Sequence, residues 1–114
     1  AWVRAQRNVR AYEYPGEVVK DTVRALRLGS AAVITLPGEI FNGIGKKIRS
    51  ASPLAPTMVG ELGGHCINDV GETHNYEEGS YEMNNSLCQP GAGEILMEAA
   101  HAVLHDRKAG WAAN

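Results

Sequence analysis

The sequence predicts an α/β fold: a β-hairpin, a helix, a strand, a loop and a C-terminal helix. Three observations carry this. An apolar run, Ala31 to Leu36, is broken by Pro37-Gly38. The hydrophobic period then lengthens, because Ile40, Phe41, Ile44 and Ile48 fall on one helical face. Near the end, Ile95, Leu96, Ala99, Ala100, Val103 and Leu104 form a stripe from about residue 92 to 107. That order of elements favours α/β layers.

Taken in order, residues 2–14 are mixed and basic and read as a short helix. Pro15-Gly16 marks a turn. Val18 to Leu28 alternates loosely and reads as a strand with one face partly wet. Gly29-Ser30 separates it from Ala31 to Leu36, the spacing of a hairpin. A helix starts at Glu39, with Lys46, Lys47 and Arg49 near its end, where the dipole favours cations. Gly43 and Gly45 weaken it by about 1 kcal/mol each relative to Ala, which suggests close packing against a neighbour. Ser52-Pro53 and Pro56 end it. Thr57 to Leu62 is a short strand, and Gly63-Gly64 opens a loop. Asn75 to Glu82 reads as a turn or short helix returning to extended chain, with Asn84-Asn85-Ser86 as loop. Gly110 stops the last helix.

A chain of 114 residues is at most one small domain, read as a single segment over 1–114. It is long enough for a modest core. A net charge of −2 lacks the basic footprint of a nucleic-acid binder. No apolar run approaches the ~20 residues of a transmembrane segment. The N-terminus has no apolar core like a signal peptide and no initiator Met, so the chain is read as a piece of something longer. The two cysteines, Cys66 and Cys88, are open to pairing, metal binding or neither. Simple packing as free thiols is favoured.

Three constellations bear chemistry. Glu39 follows the strand-ending Pro37-Gly38, and α/β active sites gather at carboxyl ends of strands. On that stretch alone, a first-turn acid complementing the helix dipole is the stronger account. A phenol from a nearby tyrosine would add a metal ligand or an oxyanion donor. The loop residues His65, Cys66, Asp69 and His74 are competent zinc ligands, but their spacing matches no standard zinc motif. His101 and His105 lie one helical turn apart with Glu94 and Glu98 nearby. Their place on the polar side of the helix favours a solvated face over a metal site.

The run Leu36-Pro37-Gly38-Glu39-Ile40-Phe41 resembles a segment of the neutral ceramidase family and its bacterial ceramidase-like relatives. Glu61 to Asp69, Tyr76 to Glu82 and Pro90 to Glu94 extend the resemblance in order and spacing. It covers most of this chain and the C-terminal part of the family's catalytic domain. It therefore implies a fragment of a larger mixed-sheet α/β catalytic domain. The implied activity is zinc-dependent hydrolysis of the N-acyl amide of ceramide, giving a sphingoid base and a fatty acid. By the resemblance, Glu39 is a zinc ligand, Tyr81 contacts substrate near the metal, and Asp69 stands where the family has a zinc tyrosine. The family's two histidine ligands have no match here. The implied partners are an N-acyl lipid substrate and the remainder of the catalytic domain.

The resemblance moves Glu39 from a dipole-complementing acid to a metal ligand of the parent protein. Glu39 and Asp69 are fewer than the three protein ligands of a typical catalytic zinc site, so the isolated chain is expected to be inactive. A small non-catalytic α/β binding or assembly module is the alternative. A fragment should also leave a hairpin edge unpaired and one sheet face without cover, which favours association.

Overall fold

A computed structural model describes the backbone of residues 2–12 and, in full, residues 18–106. Strand β1 (Trp2–Tyr12) pairs antiparallel with β2 (Val18–Leu28) along its whole length, from Trp2 opposite Leu28 to Tyr12 opposite Val18. The short helix read over residues 2–14 is therefore a strand. Val3, Ala5, Val9 and Ala11 carry a period of two that the interspersed Arg and Gln obscure. Pairing with a neighbouring strand overrides the weak local preference. The turn signal Pro15-Gly16 and the stop signal Gly110 lie outside the described residues.

The hairpin stands as read. β2 turns at Gly29-Ser30 into β3 (Ala31–Thr35), with Leu26 opposite Val33. The chain then makes a two-residue strand, β4 (Glu39–Ile40), and enters α1 (Asn42–Ala51). It returns as β5 (Thr57–Gly60), which lies parallel to β3. The four strands form one mixed sheet in the order β1-β2-β3-β5. Both sides of the hairpin are thus paired within this chain, contrary to the open hairpin edge expected of a fragment.

Beyond β5 the chain makes β6 (Asp69–Val70), then α2 (Thr73–Glu78), α3 (Tyr81–Asn85) and α4 (Ala92–Leu104). β4 and β6 form a separate parallel ladder. The return to extended chain read before residue 82 is instead α3, which takes in Tyr81 and also Asn84-Asn85. Ser80 caps it, accepting the Met83 amide at 3.2 Å. Such a cap supports one short turn without long-range periodicity.

The core lies between one face of the sheet and helices α1 and α4. Val23 and Ala25 of β2 and Ala32 and Ile34 of β3 are buried there. Ile44 and Ile48 of α1 meet them, with Leu96, Ala99, Ala100, Val103 and Leu104 of α4. Fully burying a side chain such as Ile34 or Leu96 contributes roughly 1.5–3 kcal/mol. The predicted stripe is therefore the core face of α4, but the helix ends at Leu104, short of the predicted 107, which lies outside the described residues. Cys88 is buried and Cys66 exposed, and neither is in a disulfide among the described residues.

Candidate functional site

The site begins where β3 leaves the sheet. Leu36 and Pro37 are buried, and Gly38 passes against the backbone of residues 67–68. A Cβ on Gly38 would stand 2.8 Å from the Asn68 carbonyl oxygen, so only glycine allows this approach. Backbone bonds then pair the two segments. Ile67 donates to Pro37 at 2.7 Å, Glu39 to Asn68 at 3.1 Å and Phe41 to Val70 at 3.0 Å. Asn68 turns the partner segment with a positive φ of 72°, a conformation asparagine tolerates.

The resulting register sets Glu39 directly opposite Asp69 and Ile40 opposite Val70. In-register partners of a ladder project to the same side. The fold thus brings together the two carboxylates read as metal ligands, although they lie far apart in sequence. Glu39 is exposed and Asp69 half-buried. Neither side chain makes a hydrogen bond or ion pair with any described residue. Two free oxygen donors side by side suit a divalent cation such as zinc.

Glu39 does not begin the helix. It lies in β4, and α1 starts at Asn42 with no acid in its first turn. Its backbone is claimed by Asn68 before the helix forms, so the dipole argument does not apply to it. The acid beside that first turn is Glu72. A Cβ on Gly43 would stand 2.8 Å from Glu72 Oε1. The close packing expected of a helix with glycines is made at Gly43, against this carboxylate.

Asp69 is held from behind. Ser86 Oγ donates to the Asp69 carbonyl at 2.6 Å and accepts the Cys88 amide at 3.2 Å. Tyr76 Oη lies 3.2 Å from Ser86 Oγ. Burial pushes the Tyr76 phenol above its ordinary range, and the Ser86 hydrogen bond works against that rise. Tyr76 therefore stays a neutral phenol near pH 7. Tyr81 opens α3, which packs on β6, and the residue is 78% exposed. Its hydroxyl has no partner among the described residues.

The loop cluster does not converge. His65 Nδ1 lies 2.7 Å from Asp21 Oδ2 on β2. Cys66 Sγ accepts the Asn68 amide at 3.4 Å. His74 sits on α2, with Nδ1 3.2 Å from Glu78 Oε1 and Nε2 3.5 Å from Glu72 Oε1. Among the described residues no group of three or more His, Cys, Asp or Glu is placed to hold a metal ion. A self-contained site from His65, Cys66, Asp69 and His74 is thereby set aside, since turn, strand and helix carry these residues in different directions.

Glu72 itself was not singled out from the sequence. It is 5% exposed, pairs with Lys47 of α1, and accepts the Asn75 amide, whose side chain in turn accepts the Glu72 amide at 2.8 Å. Beside it, Glu94 of α4 accepts the Thr73 amide at 2.7 Å. Burial raises the Glu94 carboxyl, but hydrogen bonds from Thr73 and its own amide outweigh this and leave it below the ordinary value. The available signal was the spacing of Glu72 and Asn75 around Thr73, a variant of the reciprocal helix-start cap.

No family model matches the chain, and no curated protein matches it. Solved structures do. Neutral ceramidase from Pseudomonas aeruginosa superposes with a TM-score of 0.59 at 18% identity, over 78% of this chain and 16% of that one. A structure described as ceramidase complexed with C2 gives 0.59 at 15% identity, over 83% and 18%. The chain therefore spans less than a fifth of the length of either. At these identities the likeness is one of fold, and it agrees with the resemblance read from the sequence: the chain has the mixed α/β fold of a segment of neutral ceramidase.

Proposed function

We propose that this chain is part of a zinc-dependent amidohydrolase resembling neutral ceramidase. It acts on the N-acyl amide of ceramide-like lipids, releasing a sphingoid base and a fatty acid. The observation that carries the reading is the pairing of Glu39 with Asp69, two carboxylates with no partner among the described residues, on one side of the β4–β6 ladder. These two residues would hold one edge of the zinc site. Bound zinc would lower the pKa of its water to ~7 and polarise the scissile carbonyl.

The chain's own residues supply positioning and one donor. Gly38 and the ladder fix Glu39, while Ser86 and Tyr76 fix the backbone of Asp69. The Tyr81 hydroxyl, without a partner among the described residues, is the donor to the oxygen that gains charge as the amide is attacked. The remaining zinc ligands and the general base come from the rest of the parent domain, so the isolated segment is inactive.

The test measures zinc by elemental analysis and hydrolysis of a ceramide-like amide, in the isolated chain and in the longer protein. The expected result is no hydrolysis by the isolated chain. In the longer protein, Glu39→Ala and Asp69→Ala each lose zinc and activity together. Unchanged zinc and turnover in both variants would overturn the assignment, as would a clear rate from the isolated chain abolished by Glu39→Ala.

A further inference from the structure

The strand that carries Glu39 has two edges, and the β4–β6 ladder uses only one. Backbone groups of successive strand residues face opposite edges. Glu39 and Phe41 donate to Asn68 and Val70 on the ladder side. Gly38 and Ile40 face the other side, where no strand pairs with β4 among the described residues. The segment after β5 fills that side. The Leu62 amide donates to the Gly38 carbonyl at 3.0 Å, and the Ile40 amide donates to Glu61 Oε2 at 2.7 Å. The Gly63 amide turns the main chain back onto the Leu36 carbonyl at 2.9 Å. A side-chain carboxylate therefore serves Ile40 where a third strand would offer a backbone carbonyl.

The turn that presents Glu61 is strained. Leu62 holds a left-handed φ of 54°, a conformation that bulky residues seldom adopt. Leu62 is 51% exposed, so burial of its side chain does not account for the strain. Such strain persists where surrounding bonds over-determine it, and it clusters at functional sites. Here the amides of Leu62, Gly63 and Gly64 are all bonded, the last to the Leu62 carbonyl at 3.0 Å. Glu61 is exposed and has no other partner among the described residues. Nothing in the core therefore requires a carboxylate at this position.

We propose that Glu61 is a positioning residue for the metal edge. By holding the Ile40 amide it fixes the twist of β4, and with it the direction in which Glu39 meets an ion shared with Asp69. The inference rests on the reading of Glu39 and Asp69 as zinc ligands. Ile40 needs an acceptor at a set reach, not a charge. Glutamine keeps that reach without the charge, whereas aspartate keeps the charge and is one carbon short.

The experiment measures zinc affinity in the longer protein by competition with a chromophoric chelator, for Glu61→Ala, Glu61→Asp and Glu61→Gln, with the urea midpoint of each. Outer partners of metal ligands are worth about 10–100-fold in affinity, and one acting through the backbone belongs at the low end, so Glu61→Ala and Glu61→Asp should each bind zinc about tenfold more weakly. Their urea midpoints should not move, and Glu61→Gln should bind zinc as the native protein does. The Ile40 amide should exchange faster in Glu61→Ala and Glu61→Asp only. Native affinity in Glu61→Ala, with zinc lost in Glu39→Ala, would overturn the positioning role alone. So would native affinity in Glu61→Asp with a loss in Glu61→Gln, which would make charge the determinant. A zinc loss that tracks a lower urea midpoint and that glutamine does not rescue would make Glu61 a stability residue and overturn the role as well. Zinc retained in Glu39→Ala would instead overturn the reading on which the inference rests.

Discussion

Glu72 is the one charged residue found fully buried among the described residues, and it does three things at once. It caps α2, fills the space left by Gly43 and pairs with Lys47, whose side chain is 61% exposed. Lys47→Met leaves a buried carboxylate without its cation and should cost about 1–3 kcal/mol, read as a lower urea midpoint with an unchanged slope. Glu72→Gln in the Lys47→Met background should recover part of that loss, because a neutral amide suffers less from burial. His74 adds a pH dependence. The hydrogen bond to Glu78 raises its pKa most, burial works against this, and Glu72 raises it further. A raised histidine stabilises the fold below its unfolded value of 6.5 and loses that contribution as pH rises through the higher folded value. Stability should therefore fall from pH 6.5 upward in the native chain, and His74→Ala should remove that part of the slope in urea midpoints measured across neutrality. Little of this was legible beforehand. An acid in a polar loop looks solvated, and what buries Glu72 comes from α1. Glu39 and Asp69 each stood out from their local sequence, but only the family resemblance joined them as ligands of one metal.

The elements that could be read were those whose evidence is local. The Gly29-Ser30 hairpin, the body of α1, strand β5 and the apolar stripe of α4 all follow from turn residues or period. β4 and β6 do not. Glu39, Ile40 and Phe41 continue the period of α1 backwards, so they read as its first turn. Their amides are instead distributed among Asn68, Glu61 and Val70, three residues brought in by a later loop. Gly38 is the element-level determinant of this exchange. In Gly38→Ala the new methyl would meet the Asn68 carbonyl at 2.8 Å and Ile67 Cγ1 at 3.2 Å. Overpacking of this kind costs typically about 1–3 kcal/mol. The expected outcome is a loss of stability in that range, with faster amide hydrogen exchange at Glu39 and Phe41. Exchange at those amides as slow as in the native chain would show that the ladder does not depend on this close approach.

At the scale of the molecule, helices pack on one face of the sheet, and among the described residues none covers the other. On the open face, Leu26, Val33 and Met58 form a cross-strand row, since Leu26 pairs with Val33 and Val33 with Met58. Met58 is 66% exposed. A shallow hollow of about 340 Å³ lies there, lined by Arg24, Ala25, Leu26, Val33 and Thr35. A segment whose covering layer belongs to the rest of a larger domain is expected to leave such a face. A contiguous apolar row of this kind favours association. At high concentration the 12.2 kDa chain should therefore sediment heavier than a monomer. Leu26→Lys with Met58→Lys should return it to the monomer without unfolding it, because the helix-facing residues Val23, Ala25, Ala32 and Ile34 are untouched. In the longer protein the same pair of lysines would lie under a covering layer and should destabilise it by unpaired charge burial. A chain that is monomeric at all concentrations, together with a longer protein indifferent to both lysines, would instead describe a module complete in itself. The open face would then be ordinary solvated surface, and the expectation of a covering layer from the rest of a larger domain would fail.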